Sequence, residues 1–590
     1  MSAAVLGVER SFTGRRWRSR LADERAALGL AQRLDLPEVV GRVLAARGVD
    51  AETAEDFLKP TLRRLLPDPS RLADMDVAVD RLTRALEGGE RIAIFGDYDV
   101  DGATAAALLS RYFAALGAEA MIYVPDRRRE GYGPNGPALR DLKARGAAVV
   151  VTVDCGIGAH DALASAAEVG LDVIVVDHHM AEPSLPPATA VIDPNRLDDT
   201  SGCGALAAVG VAFLLVVALN RDLRRRGRFA AGGEPDPRHW LDLVALGTVC
   251  DMVPLTGLNR ALVTQGLKVM ATRRNPGLAA LADVARIDDR PGAYHAGFLL
   301  GPRINAGGRV GAADLGARLL TTDDDQEAQT LAHRLDALNR ERQAIEKTVE
   351  AAALAAVGES PSEPIVFVAG EGWHAGVVGI VASRLVERYR RPAFVLARDG
   401  AVAKGSARSV PGVDVGAAVI AARQAGLLIN GGGHPAAAGL TVASEKLDAL
   451  AAFLGQRLAP ALAARPPAGL GIDGAIAVGA AQPDLVARLA GIGPFGIGNA
   501  EPRFALAGAR VVGAEVVGDR HVRCLLADGG GARLGAIAFR ATDGPLGPGL
   551  LNAAGRTLHL AGHLRLDRWR GRERVQLVID DAAPAASDPS

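Results

Sequence analysis

Three aspartates at alternate positions follow the first β-branched apolar run of the α/β region. The segment GDYDVDG places Asp97, Asp99 and Asp101 directly after residues 92–95. Carboxylates at this spacing, followed by a glycine, are typical of cation-binding loops such as the EF-hand. The EF-hand interpretation fails because its twelfth position would be Leu108 instead of a glutamate, and because the preceding run is typical of a strand. A solvated acidic turn is the other alternative.

Acids also follow two further apolar runs. Asp154 comes after residues 149–153, and Asp177, His178 and His179 come after residues 173–176. The carboxyl ends of parallel strands line one crevice, so these side chains are expected to meet there. One histidine could be structural, but two directly behind an aspartate favour metal ligation. Carboxylate-rich sites suit Mg²⁺ or Mn²⁺, and an imidazole favours Mn²⁺. A zincin site is excluded because HExxH is absent.

A fourth acid, Asp251, lies in the segment GTVCDMVP. Taken alone it could equally be an ordinary residue at a helix end. Two divalent ions about 3.5–4 Å apart need several carboxylate or imidazole ligands, one of them bridging. The residues that meet this requirement are Asp99, Asp101, Asp154, His178 and Asp251.

The elements that must position these residues alternate between short β-branched runs and alanine-rich helical stretches. Between Arg91 and Leu255 this alternation predicts a parallel α/β sheet. Residues 323–357 have apolar side chains at helical spacing, which predicts one helix of about 50 Å with Thr322 as its N-cap. A second α/β pattern follows and ends near Leu454.

The last part of the chain has short β-like runs. They cover residues 507–512, 521–526, 534–539, 557–564 and 574–579. This pattern predicts a small β-barrel. The fold class is therefore α/β multidomain, with a long connecting helix and a C-terminal β-barrel.

Composition excludes several classes of protein. The 590 residues are 49% hydrophobic and carry a formal net charge of −1, which excludes a histone-like, globally basic DNA binder. The four cysteines are far apart and include no CxxC, so neither a disulfide framework nor a zinc knuckle is expected. Residues 205–219 are apolar but too short to span a membrane, and they predict a buried helix. A cytoplasmic protein without a membrane anchor is expected.

The ordered motifs resemble a known superfamily. GDYDVDGAT, TVDCGIG, VVDHH and GTVCDMVPL are similar to motifs of the DHH phosphoesterases, and GWHAGVVGIVASR, KGSARS and GGGHPAAAG to those of their DHHA1 partner domain. YVPDRRREGYG, GPRINAGGR, LNRERQ and PFGIGNAEPRF narrow the resemblance to the RecJ family of single-strand-specific 5′-to-3′ DNA exonucleases. The resemblance covers roughly residues 90 to 580.

The resemblance implies roles for the acidic residues. Asp99 and Asp154 would hold one divalent cation, Mn²⁺ or Mg²⁺, and Asp101, His178 and Asp251 a second one, with Asp154 bridging the two. Asp97 would be a ligand or an orienting acid. Asp154 and His179 would be the catalytic residues, with His179 contacting the scissile phosphate. The alternative for His179 is that it only packs behind His178.

The resemblance also implies a path for the substrate. Arg127, Tyr132, Ser406 and Arg408 resemble a 5′-phosphate pocket, and Arg303, Asn305 and Arg309 would follow the DNA backbone. Glycines 431 to 433 would let the backbone approach a phosphate at a helix start, so Gly433 and His434 complete the set of substrate-binding residues. Taken alone, a run of three glycines is more often a turn.

The implied domains follow the motifs. They are an N-terminal extension packing on the catalytic domain (residues 1–90), a DHH catalytic domain (91–320), a connecting helix (321–357), a DHHA1 domain (358–462), an OB-fold single-strand-binding domain (466–583) and a disordered tail (584–590). Aromatic residues after position 504 are limited to Phe539 and Trp569, so arginines would dominate the barrel's grip on DNA. The basic cluster at residues 15–20 would be either a further DNA contact or an exposed arm.

The implied function is release of 5′-mononucleotides from single-stranded DNA with a 5′ end, in DNA repair and recombination. Single-strand-binding protein and a RecQ-type helicase are the expected partners of a monomeric enzyme. One alternative is a DHH phosphoesterase acting on nanoRNA or cyclic dinucleotides, which the barrel disfavours. The other is a catalytically inactive DNA-binding scaffold, which the unbroken ligand set disfavours.

Overall fold

The computed structural model describes residues 3–127, 129–359, 363–466, 469–569 and 572–585. The N-terminal part contains one short strand and a series of helices. They are β1 (Arg16–Ser19), α1 (Glu24–Leu34), α2 (Glu38–Ala46), α3 (Ala54–Leu58), α4 (Leu62–Leu65) and α5 (Met75–Glu87).

The N-terminal part divides between two regions of the molecule. Leu30 of α1 and Val43 of α2 are buried in the core of the C-terminal region, whereas Met75 and Leu82 of α5 belong to the core of the first α/β sheet. The expectation that residues 1–90 pack on the catalytic domain is therefore wrong for α1 and α2. Their apolar faces cover the C-terminal barrel, which is distant in sequence.

The first α/β region contains a five-stranded, wholly parallel sheet, as predicted. Its strands are β2 (Arg91–Gly96), β3 (Ala120–Tyr123), β4 (Ala147–Val153), β5 (Asp172–Val176) and β6 (Ala190–Ile192), in the order β3-β2-β4-β5-β6. Its helices are α6 (Val100–Ala115), α7 (Gly136–Ala144), α8 (His160–Glu168), α9 (Ala208–Arg225), α10 (Leu241–Cys250), α11 (Gly257–Met270), α12 (Pro276–Val284), α13 (Gly301–Val310) and α14 (Leu315–Thr321).

Two apolar cores cover the two faces of this sheet. Ile94 and Val151 face one core, and Phe95 and Val150 face the other, as expected for strands buried on both sides. The apolar run at residues 205–219 forms most of α9, which is buried as predicted. Among the described residues, no helix is both long and apolar enough to cross a membrane.

One long helix, α15 (Asp325–Val357), leads to the second α/β region. Its 33 residues give a length of about 50 Å. The N-cap is Asp324, not Thr322, because the Asp324 carboxylate accepts hydrogen bonds from the backbone N–H groups of Gln326 (2.7 Å) and Glu327 (2.9 Å). Leu335 packs in the first region's core and Val349 in the second's, so the helix connects the two.

The second α/β region contains a mixed five-stranded sheet. Its elements are β7 (Val366–Glu371), α16 (Val378–Tyr389), β8 (Ala393–Asp399), β9 (Val402–Arg408), α17 (Val415–Gln424), β10 (Asn430–His434), β11 (Ala437–Ala443) and α18 (Leu447–Ala463). The order is β10-β11-β9-β8-β7, and only the β7–β8 pair is parallel.

The C-terminal region closes into a five-stranded barrel, as predicted. Its elements are β12 (Gly469–Ile472), β13 (Gly474–Ile476), α19 (Pro483–Ala490), β14 (Phe504–Val517), β15 (His521–Ala527), β16 (Arg533–Ala538), α20 (Leu546–Leu551), β17 (Thr557–Trp569) and β18 (Arg572–Pro584). Pairing of β14 with both β15 and β17 closes the barrel. Pro584, expected in a disordered tail, pairs with Leu558, and residues 586–590 lie outside the described part.

The basic cluster at residues 15–20 includes strand β1, so it is not an exposed arm. β1 pairs with β12, and buried Trp17 donates a hydrogen bond through Nε1 to Asp581 Oδ2 at 3.1 Å. Arg20 forms an ion pair with buried Asp473 at 2.8 Å, and Arg15 lies 3.8 Å from Asp581. These arginines neutralise carboxylates beneath the barrel.

Candidate active site

The turn from β2 into α6 positions the first three acids. Asp99 caps α6, because its Oδ1 accepts hydrogen bonds from the N–H groups of Asp101 (2.9 Å) and Gly102 (3.2 Å). A Cβ on Gly102 would lie 2.5 Å from the Asp97 carbonyl oxygen, so only glycine allows this close approach of helix and strand. The fixed turn aims all three carboxylates at the carboxyl edge of the sheet.

Asp101 also fixes a second helix at this edge. Its carboxylate accepts hydrogen bonds from the N–H groups of Ala208 (2.6 Å) and Val209 (2.9 Å), at the beginning of α9. The positive end of the α9 dipole stabilises the carboxylate. Asp101 therefore has a structural function in addition to any role as a ligand.

Asp154 follows β4 in a left-handed conformation, with φ of 61°. This conformation is uncommon for residues other than glycine, although aspartate is among those that tolerate it. Its N–H donates to the carbonyl of Val176 at 3.0 Å, and its carbonyl accepts from the Tyr132 hydroxyl at 3.1 Å. These contacts hold the buried carboxylate between the ends of β2 and β5.

Asp177 holds both histidines in place. Its Oδ1 accepts hydrogen bonds from the N–H of His178 at 2.8 Å and from Nδ1 of His179 at 2.7 Å, and its Oδ2 accepts from the N–H of Ile157 at 3.0 Å. Its oxygens are thus committed to the protein. Asp177 is a positioning residue absent from the predicted site. Its place as the first residue of the DHH motif was the available signal.

The orientation of His178 leaves one nitrogen free to bind a cation. Its Nδ1 donates to the Leu206 carbonyl at 3.1 Å, which fixes the tautomer, and the Asn195 side chain donates to its carbonyl at 2.6 Å. Its Nε2 lies 3.3 Å from Asp154 and 3.9 Å from Asp101. Such a backbone partner on the opposite nitrogen is typical of metal-ligating histidines.

The predicted ligands converge as overlapping sets. Three groups have ligand atoms within 4.8 Å of one another: Asp97 with Asp99 and Asp154, Asp101 with His178 and Asp251, and Asp154 with both histidines. Within the described residues, buried Asp97 Oδ1, His178 Nε2 and Asp251 Oδ2 have no hydrogen-bond partner. Orphaned acceptors facing one another fit divalent cations, which would satisfy them.

The electrostatics of the cluster also favour cations. Burial and the neighbouring carboxylates raise the pKa values of Asp97, Asp101 and Asp154 well above the ordinary range. Burial and then Asp99 raise the pKa of Asp251 to about 7. Burial and the charge of His179 lower the pKa of His178 to about 4, so it is neutral, as a ligand must be.

His179 differs from its neighbour in charge. Burial lowers its pKa, but the hydrogen bond and charge of Asp177 outweigh burial and raise the pKa to about 9. Its ring lies edge-on to Tyr132, with centroids 6.1 Å apart. At neutral pH the site therefore contains one cationic imidazole beside the carboxylates.

A cavity of about 950 Å³ lies between the first and second α/β regions. Arg127, Arg309 and Ser406 line it together. The Arg127 guanidinium lies 5.0 Å from the centroid of the Tyr98 ring, and Arg309 Nη1 donates to the Gly376 carbonyl at 3.0 Å. Burial, followed by the charge of Arg127, lowers the pKa of Arg309 to about 10.

Arg408 and His434 extend this basic surface toward the acids. The contacts of Gly379 place Arg408 Nη2 and Ser406 Oγ side by side. Burial and then Arg127 lower the pKa of Arg408, and burial, Arg408 and His179 lower that of His434. Several cations crowded within one cavity are typical of an anion-binding site.

The structure shows which neighbours three of the predicted substrate contacts have. Arg303 donates to buried Asp336 of α15 at 3.0 Å and so stabilises helix packing, and Asn305 is half-buried one turn before Arg309. Tyr132, 56% exposed, borders the metal cluster through its bond to Asp154 and contact with His179. A motif shows which residues are close in sequence, but it does not show which residues their side chains contact in the folded protein.

The glycine run forms part of a hairpin, which agrees with the alternative of a turn and not with a helix start. Glycines 431 to 433 lie in strand β10, where Gly433 pairs with Ala438, so they do not start a helix. A Cβ on Gly433, with φ of 155°, would lie 2.4 Å from the Ala437 carbonyl oxygen. Glycine is needed there for a tight hairpin that brings His434 near Arg408 and His179.

The parallel sheet with acids at its carboxyl edge, opposed by a second domain with basic residues, defines the class of DHH phosphoesterases. Models of three domain families match the chain: the DHH family N-terminal domain at residues 91–248, the DHHA1 domain at 362–459 and the RecJ OB domain at 472–581.

Full-length relatives narrow the class to one family. The single-stranded-DNA-specific exonuclease RecJ of Salmonella typhimurium is 38% identical over 97% of this chain and 99% of its own length. RecJ of Bacillus subtilis is 34% identical over 96% of this chain and 71% of its own. The chain belongs to the RecJ family of exonucleases.

Solved structures agree with this assignment. RecJ of Thermus thermophilus in complex with Mn²⁺ has a TM-score of 0.80 and 31% identity, over 97% of this chain and 80% of that chain. Its complex with Mg²⁺ has a TM-score of 0.76 and 30% identity, over 97% and 79%. The predicted fold class and metal-dependent enzyme class are confirmed.

Proposed function

We propose that this chain hydrolyses single-stranded DNA from its 5′ end and releases 5′-mononucleotides, with two divalent cations, Mn²⁺ or Mg²⁺, at the acidic cluster. The observation that carries the proposal is the position of Asp154, which groups with Asp97 and Asp99 and lies 3.3 Å from Nε2 of His178, a member of the group with Asp101 and Asp251. One carboxylate between two sets is the arrangement that a bridging ligand requires.

The candidate metal ligands divide into two sets, one for each ion. Asp97, Asp99 and Asp154 would hold one ion, and Asp101, His178 and Asp251 the other. When bound, such ions lower the pKa of a coordinated water and neutralise charge on the phosphate. The protein's own contribution is to keep His178 neutral and its Nε2 directed at the carboxylates.

His179 is the proposed contact to the scissile phosphate. Its raised pKa keeps the imidazole protonated at neutral pH, and Asp177 holds Nδ1, so Nε2–H is the donor that remains. A cationic donor stabilises the negative charge that develops on a phosphate oxygen during hydrolysis. Tyr132 supports this arrangement from the exposed side.

The basic cavity supports 5′-to-3′ polarity. Burial and then the charge of Arg127 lower the pKa values of Arg408 and Arg309, so a dianionic terminal phosphate would relieve the repulsion among these arginines. Arginine guanidinium groups bind such a phosphate by paired hydrogen bonds, to which the Ser406 hydroxyl adds one more. A strand anchored there by its 5′ end would present its first phosphodiester to the acids.

Incubation of DNA labelled at either end with the protein and Mn²⁺ tests the proposal. We expect mononucleotides from the 5′ end of single strands and no degradation of blunt duplexes. Release from the 3′ end would contradict the polarity. Cleavage of dinucleotides but not of longer strands would instead indicate a nanoRNA phosphoesterase.

The cellular setting is a further part of the proposal. The family resemblance supports a cytoplasmic monomer that acts in DNA repair and recombination, on strands exposed by a RecQ-type helicase and covered by single-strand-binding protein. Light scattering after gel filtration measures the oligomeric state, and a dimer would contradict it.

A further inference from the structure

Two aromatic side chains outside the acidic cluster are exposed and stacked on one another. Tyr294 is 59% exposed and Phe298 is 70% exposed. Their ring centroids are 5.2 Å apart with an interplanar angle of 24°, and His295 lies edge-on to Tyr294 at 5.9 Å. Large apolar side chains that remain grouped at a surface are typical of binding sites.

This aromatic pair is anchored to a segment that carries a candidate metal ligand. Phe298 lies in a π-helical segment, His295–Leu300, a conformation that is frequent at functional sites. Cys250 Sγ donates to the Ala296 carbonyl at 3.5 Å, and a Cβ on Gly301 would lie 2.4 Å from the same sulfur. Cys250 directly precedes Asp251, so the pair lies beside the acidic cluster.

Tyr294 is also near the C-terminal barrel. Arg565 of β17 has its pKa raised first by its hydrogen bonds to Glu501, at 3.0 and 3.3 Å, and additionally by the nearby Tyr294 hydroxyl. The Arg565 side chain is half-exposed. The segment that carries Tyr294 and Phe298 thus contacts the residue before Asp251, and Tyr294 is near a basic residue of the barrel.

We propose that Tyr294 and Phe298 form a stacking platform for one unpaired base of the single strand, on the 3′ side of the scissile nucleotide. Every base has a π-face, so the platform would accept any sequence. A base inside a duplex has both faces covered by the adjacent base pairs, so it could not stack on the platform. The inference rests on the proposed function, because it assumes that the strand runs from the acids toward the barrel.

A scan with abasic sites tests the platform without requiring hydrolysis. The Kd of 5′-phosphorylated 20-mers, each with one abasic site at a different position, is measured in EDTA for the wild-type chain and for Phe298→Leu. Loss of one stacked base weakens binding by about tenfold. We expect this loss at one or two adjacent positions in the wild type, no position-dependent loss in Phe298→Leu, and its return in Phe298→Trp.

Phe539→Leu is the matched control, because Phe539 is 53% exposed on the barrel and lies against His521. We expect its abasic profile to equal that of the wild type. An unchanged profile in Phe298→Leu, or loss of the profile in Phe539→Leu, would overturn the platform. Failure of the proposed function is distinguished separately, by the absence of 5′-end hydrolysis in the wild type with Mn²⁺.

Discussion

Asp154 combines two requirements in one residue. Its left-handed backbone turns the side chain back between the ends of β2 and β5, and its carboxylate belongs to two of the candidate ligand groups. Few residues tolerate that backbone conformation, and aspartate is one of them. The position of an acid after β4 could be predicted from sequence. Its conformation could not, because it depends on hydrogen bonds to β5 and Tyr132.

Arg408 gives a direct test of the phosphate pocket. Arg408→Ala should weaken binding of 5′-phosphorylated strands by about 10- to 100-fold, because charge-assisted hydrogen bonds are lost. Binding of 5′-hydroxyl strands should change little, and fluorescence anisotropy measures both. Arg398→Ala is the control, since Arg398 lines the cavity but pairs with Glu371 at 3.8 Å. Equal losses for both kinds of end would remove Arg408 from the pocket.

The acidic cluster predicts a pH-dependent response to metal. Burial and Asp99 raise the folded-state pKa of Asp251 to about 7, so folding favours its protonated form. The stability of the metal-free protein should therefore fall as pH rises from about 4 through 7. Binding of Mn²⁺ should offset this loss of stability, so it should raise Tm more at pH 8 than at pH 5.5. Thermal melting with Mn²⁺ and with EDTA measures both increases. Equal increases in Tm at both pH values would contradict a link between the protonation of Asp251 and metal binding.

At the scale of elements, the turn between β2 and α6 determines the geometry of the site. Gly102→Ala places a methyl group against the Asp97 backbone and should destabilise the protein by about 1–3 kcal/mol. It should also reduce the Tm increase produced by Mn²⁺, because Asp97 and Asp99 shift. Gly158→Ala, where a Cβ meets nothing within 4 Å, is the control and should cost less than about 0.5 kcal/mol. Chemical denaturation measures both variants, and equal costs would contradict the steric account.

Helices and strands were predictable from sequence where their apolar residues followed one clear pattern. The strands before Asp97, Asp154 and Asp177 have runs of β-branched residues that suit a buried parallel sheet, and α15 has a long amphipathic repeat. The N-cap was not predictable, because Thr322 and Asp324 are both good caps two residues apart. The glycines before His434 are compatible with a helix start or a hairpin, and the β10–β11 pairing selects the hairpin.

At the scale of the whole molecule, the two ends of the chain form one unit. Trp17 and Asp581 are 564 residues apart and share a buried hydrogen bond. Leu30 and Val43 pack in the same core as Phe504. Local sequence patterns carry no information on such contacts, which explains why the N-terminal part was assigned to the wrong neighbour.

The core that the two ends of the chain share predicts the outcome of truncation. Deletion of residues 466–590 exposes Leu30, Val43 and Leu44, so most of the protein should aggregate. Additional deletion of residues 1–60 removes that exposed surface and should restore a soluble chain, measured by gel filtration of the soluble fraction. A well-behaved protein after the first deletion alone would show that the ends are independent.

The central claim is that two divalent cations bind on either side of Asp154. Anomalous diffraction from crystals of this protein grown with Mn²⁺ tests it most directly. We predict two peaks about 3.5–4 Å apart, one beside Asp97 and Asp99 and the other beside Asp101, His178 and Asp251, each within coordination distance of Asp154. A single peak, or two peaks of which one lies beyond reach of Asp154, would contradict the account.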